Sequence, residues 1–350
     1  MPNPRGRALL LPCLCLLVAA PGAEALSAQV PAPAPGRPAR AALMLPERLR
    51  QGDPLVGWAL SEPDLVGAEA RLLPAADGAA GNGAAAVPVA AASLFAGPAL
   101  SPLPLVGVSP VFRAFGFVLA VPADLAPGAY RLVVDSAGPV SLSAPVSIEA
   151  RSFPTEDIPL DAANSKLRTE PDPRKEAEAK RLYEILGRAD ADAFYLDGSP
   201  FMMPLVPRRR SAGFGDRRRY LYEGGGSDAS VHAGMDLAVA TGTEVWACGP
   251  GRVVLAADRA VTGLTVVLEH LPGLYSLYMH LSSIAVREGQ ALERGAVLGR
   301  SGSTGLSTGP HLHWELRAGG QAVDPEFWLS RPPLDKNRAA AIMAGLIEGR

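Results

Sequence analysis

Residues that could carry out chemistry are concentrated near the C-terminal end of the chain. No histidine precedes His232, and four of the five histidines lie in the patterns His232-x-x-x-Asp236, Tyr278-Met279-His280-Leu281 and Pro310-His311-Leu312-His313. Two imidazole nitrogens and one carboxylate oxygen form a ligand set that suits zinc, and three protein ligands leave a position open for water. Two histidines then remain for proton transfer and for stabilising a tetrahedral intermediate. The pattern therefore predicts a metal site that performs hydrolysis.

The spacing of these residues indicates strands rather than a helix. His311 and His313 are two residues apart in an apolar stretch bounded by turn residues, so on a strand both imidazoles face the same way. His232 and Asp236 are four apart, but Gly234 between them favours an extended or looped segment. A His-Glu-x-x-His pattern does not occur in the sequence. This excludes a helical zinc protease with a glutamate base, so any base must come from the remaining histidines.

Six motifs follow one another in the last third of the chain: Phe214-Gly215-x-Arg217, His232-x-Gly234-x-Asp236, Gly249-x-Gly251-x-Val253, Tyr278-x-His280-Leu281, Gly302-x-x-Gly305-x-x-Thr308-Gly309-x-His311-Leu312-His313-x-Glu315, and Asp324-Pro325. In this order, the segment from about 211 to 329 resembles the lysostaphin and LytM type of zinc metallopeptidase, the M23 family of peptidoglycan hydrolases. The resemblance implies zinc held by His232, Asp236 and His313. It also implies a catalytic pair, His280 and His311, and every one of these positions is filled here.

Four further residues near these motifs have two interpretations each. Arg217 either pairs with a substrate carboxylate or belongs to a solvated basic turn. Tyr278 either lines the groove or packs in the core. His270 is favoured as a turn or core-edge residue over a substrate contact, and the Leu271-Pro272-Gly273 turn after it departs from the family's glycine-rich one. Glu315 is favoured as an ion-pair partner or a support for a metal ligand over a base.

A closed structural zinc site is the alternative to a catalytic one. It requires a fourth protein ligand, for which the candidates are His270, His280, His311 and Cys248. Cys248 is the only cysteine beyond the first 25 residues, so it cannot form an internal disulfide there. We predict that it is a small buried residue rather than a nucleophile.

The remaining chain divides into segments of distinct composition, because 350 residues exceed what one core usually organises. The predicted fold is mainly β: an antiparallel β peptidase domain of the LytM type, preceded by an immunoglobulin-like β-sandwich and a linker helix. A stretch at 74–109, rich in Ala, Gly and Pro, is predicted to be a surface insertion without strands. The segments are a signal peptide at 1–25, a Pro/Ala-rich spacer at 26–42, the sandwich at 43–150, a linker at 151–200 with a helix at 173–186, the peptidase domain at 201–330, and a tail at 331–350 with a short helix.

The N-terminal residues predict export from the cytoplasm. Arg5 and Arg7 precede an apolar run at 8–20, and Ala23-Glu24-Ala25 offers a small-x-small cleavage site. That run is shorter than the roughly 17–25 residues of a membrane-spanning helix, so stable membrane insertion is not expected. The formal net charge of −2 argues against nucleic acid as a partner. We expect a mature protein in the periplasm or cell envelope.

These observations predict a secreted zinc endopeptidase that acts on stem peptides or cross-links of peptidoglycan. Two alternatives remain: a non-hydrolytic peptidoglycan-binding regulator that activates another wall hydrolase, and a zinc peptidase that acts on proteins. The N-terminal domain is expected to restrain or guide the peptidase domain without contributing to the chemistry. A catalytic core beginning near Asp190 is expected to fold alone.

Overall fold

The computed structural model describes residues 41–348, apart from 62–64, 66–67, 76–87, 97–112, 138–139, 189 and 191. The predicted signal peptide at 1–25 and residues 26–40 of the predicted spacer lie outside the described residues. β-Strand is the commonest secondary structure in the described chain, and three α-helices and one short 3-10 helix accompany the strands there.

Two antiparallel sheets form the N-terminal part, in the orders β1-β3-β7-β6 and β2-β9-β8-β4-β5, with one parallel pair between β2 and β9. Strand β8 alternates buried Tyr130, Leu132 and Val134 with more exposed residues, as expected for a half-buried strand. The Tyr130 hydroxyl donates to the Ala126 carbonyl at 2.7 Å, a contact like the tyrosine corner of immunoglobulin-like sandwiches. The strands are β1 (Ala41–Met44), β2 (Leu49–Arg50), β3 (Pro54–Ser61), β4 (Glu69–Pro74), β5 (Ala90–Ser93), β6 (Phe95–Ala96), β7 (Arg113–Ala120), β8 (Gly128–Asp135) and β9 (Ser141–Glu149).

Strands β5 and β6 correct the sequence prediction for 74–109, which expected no strands there. Strand β5 pairs antiparallel with β4, from Leu72 opposite Ala90 to Glu69 opposite Ser93. This pairing uses backbone N–H and C=O groups, so alanine side chains suffice at the edge of a sheet. Leu94, which follows β5, is buried and anchors the segment in the core.

The linker contains strand β10 (Thr155–Leu160), helix α1 (Ala162–Thr169) and helix α2 (Pro173–Leu186). Helix α2 coincides with the segment predicted as helical. The Asp172 side chain accepts from the Arg174 amide at 2.8 Å, and Pro173 occupies the first turn, where a missing N–H costs nothing. The predictions did not include β10 and α1.

An antiparallel sheet dominates the C-terminal part, with the central order β11-β14-β21-β18-β17-β16-β19. A smaller sheet has the order β10-β12-β13, and β10 runs parallel to β12. The elements are β11 (Arg209–Ala212), β12 (Arg217–Tyr222), β13 (Ser227–Val231), β14 (Met235–Ala238), β15 (Glu244–Trp246), β16 (Gly251–Arg259), β17 (Gly263–Leu271), β18 (Leu274–Ile284), β19 (Ala291–Leu292), β20 (Val297–Ser301), β21 (His311–Ala318), β22 (Gln321–Val323), the 3-10 helix Pro325–Trp328 and α3 (Lys336–Glu348).

One hydrophobic core extends through both parts of the chain. Every residue of β3 is buried, and β7 contacts β21 and β22. The Trp58 indole donates to the Pro333 carbonyl at 3.2 Å, and its ring meets the edge of Phe194. Arg151 pairs with the buried Asp324 at 2.6 Å. A chain beginning near Asp190 would lack β7 and Arg151. It would therefore expose the apolar surface of β21 and β22 that β7 covers, and Asp324 would lose its arginine partner. The structure therefore argues against a catalytic core that folds alone.

Replacing Trp58 by alanine should lower the free energy of unfolding by about 3–5 kcal/mol, because the indole is buried where the two parts meet. Urea denaturation followed by circular dichroism measures this change. The control is Tyr183→Ala on α2, because Tyr183 is 68% exposed and its loss should change stability by about 0.5 kcal/mol or less. Equal unfolding midpoints for Trp58→Ala and the unmodified protein would show that the contact is not stabilising.

Candidate metal centre

Strand pairing brings the C-terminal histidines and Asp236 onto one surface. In the pairing of β14 with β21, Asp236 lies opposite His313, and Ala238 lies opposite His311. His311 and His313 share a face because they are two residues apart on a strand. Leu312 between them is fully buried on the other face.

His232 lies in the short connection between β13 and β14. Its approach to β21 depends on Gly234, where an added Cβ atom would lie 2.3 Å from the Trp314 carbonyl oxygen. Glycine is therefore the only residue that allows this close backbone contact. The close approach places the His232 side chain beside Asp236 and His313.

Three side-chain atoms form a compact cluster of metal-ligating groups. His232 Nε2 lies 3.2 Å from Asp236 Oδ1 and 3.1 Å from His313 Nδ1. The third separation, from His313 Nδ1 to Asp236 Oδ1, is 2.7 Å. Tetrahedral ligands with bonds of about 2.0–2.1 Å are separated by about 3.3 Å, so the cluster has close to the size that a divalent cation needs. The residues therefore fit a metal ion.

Hydrogen bonds to the far side of each imidazole orient the two histidines. His232 Nδ1 donates to the Gly213 carbonyl at 2.6 Å, which leaves Nε2 for a metal. His313 Nε2 donates to Glu315 Oε1 at 2.8 Å, which leaves Nδ1. Arg317 in turn donates to Glu315 Oε2 at 2.7 Å. Glu315 thus contacts a candidate ligand and an arginine, in agreement with its interpretation as a supporting partner.

The carboxylates in and beside the cluster are ionised, and His313 carries a proton that competes with a metal ion. Burial alone would raise the pKa of Glu315. The nearby Arg317 and His313 outweigh this effect and lower the pKa to about 2, so Glu315 is ionised. Burial likewise opposes ionisation of Asp236, yet hydrogen bonds from His232 and His313 hold its pKa well below the ordinary value. Burial lowers the pKa of His313, but Asp236 and Glu315 raise it to about 9. A metal ion must therefore displace a proton from His313.

His280 and His311 stand beside the cluster, and His311 Nε2 lies 3.7 Å from Asp236 Oδ1. His280 Nδ1 donates to the Thr304 carbonyl, and His311 Nδ1 donates to the Gly309 carbonyl, both at 2.7 Å. Their ring centroids are 4.8 Å apart. Burial, together with the neighbouring His311 and His313, lowers the pKa of His280 to about 3. Burial is also the main cause that lowers the pKa of His311. Both rings are therefore neutral near pH 7 and can accept a proton.

The backbone of His280 is in a left-handed conformation, with φ of 60°. Among the described residues it is the only non-glycine with positive φ. Such a conformation costs about 1–3 kcal/mol and is often found at functional sites. The His280 amide donates to the Thr262 carbonyl at 2.9 Å, which helps to hold this conformation.

Tyr278, two residues before His280, is fully buried, and its hydroxyl accepts from the Cys248 amide at 2.8 Å. Tyr278 therefore packs in the core.

His270 and Cys248 lie apart from the candidate ligands, in a buried polar network. His270 Nδ1 donates to the Pro250 carbonyl at 2.6 Å, and Nε2 accepts from the Ser276 hydroxyl at 2.8 Å. Burial lowers the pKa of His270 to about 4 and raises that of Cys248 to about 11. Neither residue belongs to the metal-ligating group. Cys248 is buried as predicted, whereas His270 is fully buried within β17 and is not a turn residue.

Arg218, which the sequence analysis did not single out, contacts the cluster, whereas Arg217 does not. Arg217 donates to the Ala123 carbonyl at 3.2 Å and lies over the Phe153 ring, so it faces the N-terminal sheets. Neither a groove position nor a solvated turn describes it. The Arg218 side chain points to the opposite face of β12 and donates to Asp236 Oδ2 at 2.6 Å. The two-residue period of strands is the sequence feature that separates them.

A cleft of about 240 Å³ opens above the cluster. The linker forms part of its wall, which the sequence did not predict. One side comes from β10, α1 and β12, through Ile158, Leu160, Arg168, Arg218 and Tyr220. The other side comes from Val261, Thr262, Leu306, Ser307 and Thr308. The candidate ligands, His280 and His311 line the same cleft. A substrate in the cleft can therefore contact the metal position and both neutral imidazoles together.

Comparison with known proteins assigns this region to a family. Residues 230–325 match the sequence profile described as peptidase family M23. The chain is 38% identical over 142 residues to the DD-carboxypeptidase/endopeptidase Mpg of Neisseria meningitidis serogroup B. The aligned segment covers 40% of this chain and 32% of the relative. It is 43% identical over 93 residues to the peptidoglycan DD-endopeptidase ShyA of Vibrio cholerae, over 27% of this chain and 22% of the relative.

A third relative differs in its described activity. The chain is 42% identical over 98 residues to the murein hydrolase activator EnvC of Escherichia coli, over 28% of this chain and 23% of the relative. The chain thus spans 32%, 22% and 23% of the lengths of these curated relatives. All three similarities concern only part of each protein. Residues 230–325 of this chain therefore match peptidase family M23 in sequence.

Proposed function

We propose that this protein is a zinc-dependent endopeptidase that hydrolyses peptide bonds in the stem peptides or cross-links of peptidoglycan. One observation carries the proposal: three ligand atoms and two neutral imidazoles that are not ligands line one cleft. The names of Mpg and ShyA support the reaction class, and that of ShyA supports the peptidoglycan substrate.

Zinc is the metal that the donor set favours. Two imidazoles and one carboxylate, with a fourth position open, are typical of catalytic zinc. His232, Asp236 and His313 would hold the ion through Nε2, Oδ1 and Nδ1, respectively. When bound, zinc supplies a Lewis acid that polarises the scissile carbonyl and lowers the pKa of water.

His280 and His311 handle the protons in this mechanism. Each is anchored through Nδ1 on a backbone carbonyl, so each turns Nε2 toward the cleft. A neutral Nε2 can take a proton from the attacking water and later return it to the leaving amine. A protonated one can donate a hydrogen bond to the developing oxyanion. We propose that the two residues share these roles.

The main alternative is a regulator that binds peptidoglycan and activates another hydrolase, because EnvC is named as an activator. Similarity to such a protein does not by itself distinguish the two functions. A regulator requires neither a set of metal ligands nor neighbouring proton acceptors. All five side chains are present here and share one cleft, which favours hydrolysis.

We propose that the protein acts outside the cytoplasmic membrane, in the periplasm or cell envelope. The predicted leader and the wall-directed relatives support this location. Among the described residues, no helix is both long enough and apolar enough to cross a membrane.

Purified protein incubated with peptidoglycan sacculi tests the proposed function. We expect soluble muropeptides whose masses, measured by mass spectrometry, identify a cleaved peptide bond. Chelation should stop the release, and added zinc should restore it. Casein in a parallel incubation separates a protein-directed peptidase from a wall-directed one. No cleavage by the zinc-loaded protein, combined with stimulation of a second wall hydrolase, would favour the regulator instead.

A further inference from the structure

Arg218 connects a candidate metal ligand to the linker strand that precedes the peptidase fold. Its Nη2 donates to Asp236 Oδ2 at 2.6 Å, and its Nε donates to Glu156 Oε1 at 2.8 Å. The side chains of Arg218 and Asp236 are 11% and 12% exposed, whereas that of Glu156 is 39% exposed. Arg218 and Glu156 both lie before residue 230, outside the segment that matches the family profile.

The two oxygens of Asp236 have different partners. Oδ1 faces His232 and His313, while Oδ2 accepts from Arg218. A charge-assisted bond to an arginine is short and strong, so it restricts rotation of the carboxylate. Without it, Oδ2 would lose this partner in a largely buried position, and either oxygen could turn toward the ion.

We propose that Arg218 is a positioning residue that presents Asp236 Oδ1 to the metal, and that Glu156 on β10 holds Arg218 in this position. The proposal rests on the proposed zinc site. It makes the linker strand part of the metal centre, although no linker residue is a ligand. Partners of this kind typically change metal affinity or activity by about 10–100-fold when they are removed.

The register of β10 against β12 explains why Glu156 supports Arg218. The parallel pairing places Glu156 beside Arg218 and Asp157 beside Arg219. Successive side chains of a strand point to opposite faces, so the second pair lies on the other face. Asp157 and Arg219 are 45% and 57% exposed, and Arg219 has no contact with Asp236 among the described interactions. The second pair is therefore a control built into the same two strands.

The competing explanation is that Arg218 only ties β10 to β12. Under that explanation, loss of Arg218 should lower the stability of the metal-free protein and leave its zinc affinity unchanged. Metal affinity, measured apart from activity, separates the two explanations.

The test compares Arg218→Gln, Arg218→Lys, Glu156→Gln and the control Arg219→Gln with the unmodified full chain. Zinc affinity is measured by competition with a chromophoric chelator, and the ligand geometry by the absorption spectrum of the cobalt-substituted protein. Thermal unfolding of the metal-free proteins reports the structural effect of each change.

We expect Arg218→Gln to weaken zinc binding about 10–100-fold and to alter the cobalt spectrum. Arg218→Lys should recover part of the affinity, because it keeps the charge but not the fork of donors. Glu156→Gln should weaken binding by less than Arg218→Gln. Arg219→Gln should leave affinity within about twofold, as expected for an exposed ion pair.

Two results would overturn the proposal. One is unchanged zinc affinity in both Arg218→Gln and Arg218→Lys while the unmodified protein binds zinc and cleaves sacculi; the proposed function would then stand. The other is equal weakening in Arg218→Gln and Arg219→Gln, which would trace the loss to strand pairing. Absence of zinc binding by the unmodified protein would overturn the proposed function together with this inference.

Discussion

Replacing His313 by alanine should remove most of the zinc from the purified protein and reduce cleavage of sacculi to background. The change leaves two of the three ligand atoms, His232 Nε2 and Asp236 Oδ1, and two ligands hold zinc weakly. Asp236→Ala should have the same consequence for the same reason. Elemental analysis of the metal content, combined with mass spectrometry of the released muropeptides, measures both effects.

Asp228→Ala is a suitable control for these variants. Asp228 is a partly exposed carboxylate on β13 that pairs with Arg168 in the wall of the cleft, and it is not in the metal-ligating group. It should keep the zinc content of the unmodified protein. One zinc ion per chain in both His313→Ala and Asp236→Ala would exclude the assigned ligand set.

Replacing His280 or His311 by alanine should leave the metal in place and slow hydrolysis by about 10²- to 10⁴-fold, the usual contribution of a positioned acid or base. Both side chains face the cleft but lie outside the cluster of ligand atoms. In these variants the metal content should therefore stay unchanged while the initial rate of muropeptide release falls. In the ligand variants the two quantities should fall together.

A second substitution at His280 controls for its backbone. Alanine is disfavoured at a φ of 60°, whereas asparagine tolerates that conformation. Similar rate losses in His280→Ala and His280→Asn would assign the effect to the missing imidazole. If His311→Ala empties the site and His313→Ala does not, the roles of these two histidines are reversed.

The sequence indicated the chemistry of the site through the clustering of its histidine motifs, and the ligand set and the catalytic pair came from the resemblance of these motifs to the M23 family. His311 and His313 share a strand face by their spacing alone, and Gly234 indicates an extended approach to Asp236. Helix α2 could be predicted because Asp172 and Gly187 mark its ends. In each of these cases the decisive interactions are local.

The features that sequence analysis missed depend on partners far away in the chain. Strand β10 contains two acidic residues and a proline, and it is a strand because β12 lies alongside it. Strand β5 likewise depends on β4. Sequence alone could not tell whether Arg217 or Arg218 faces the cleft. The answer depends on which face of β12 is turned toward the cleft, and this is fixed by pairing with strands distant in sequence. The left-handed backbone of His280 has no marker in sequence, because such positions usually carry glycine.

The contact between β10 and β12 also determines how long a segment must be transferred to build this metal site in another protein. A graft limited to the matched residues 230–325 would carry His232, Asp236 and His313 but neither Arg218 nor Glu156. The recipient protein would have to supply its own donor for the free oxygen of Asp236. With the role proposed for Arg218, the smallest transplantable unit is therefore longer than the matched residues 230–325, and it begins no later than Thr155.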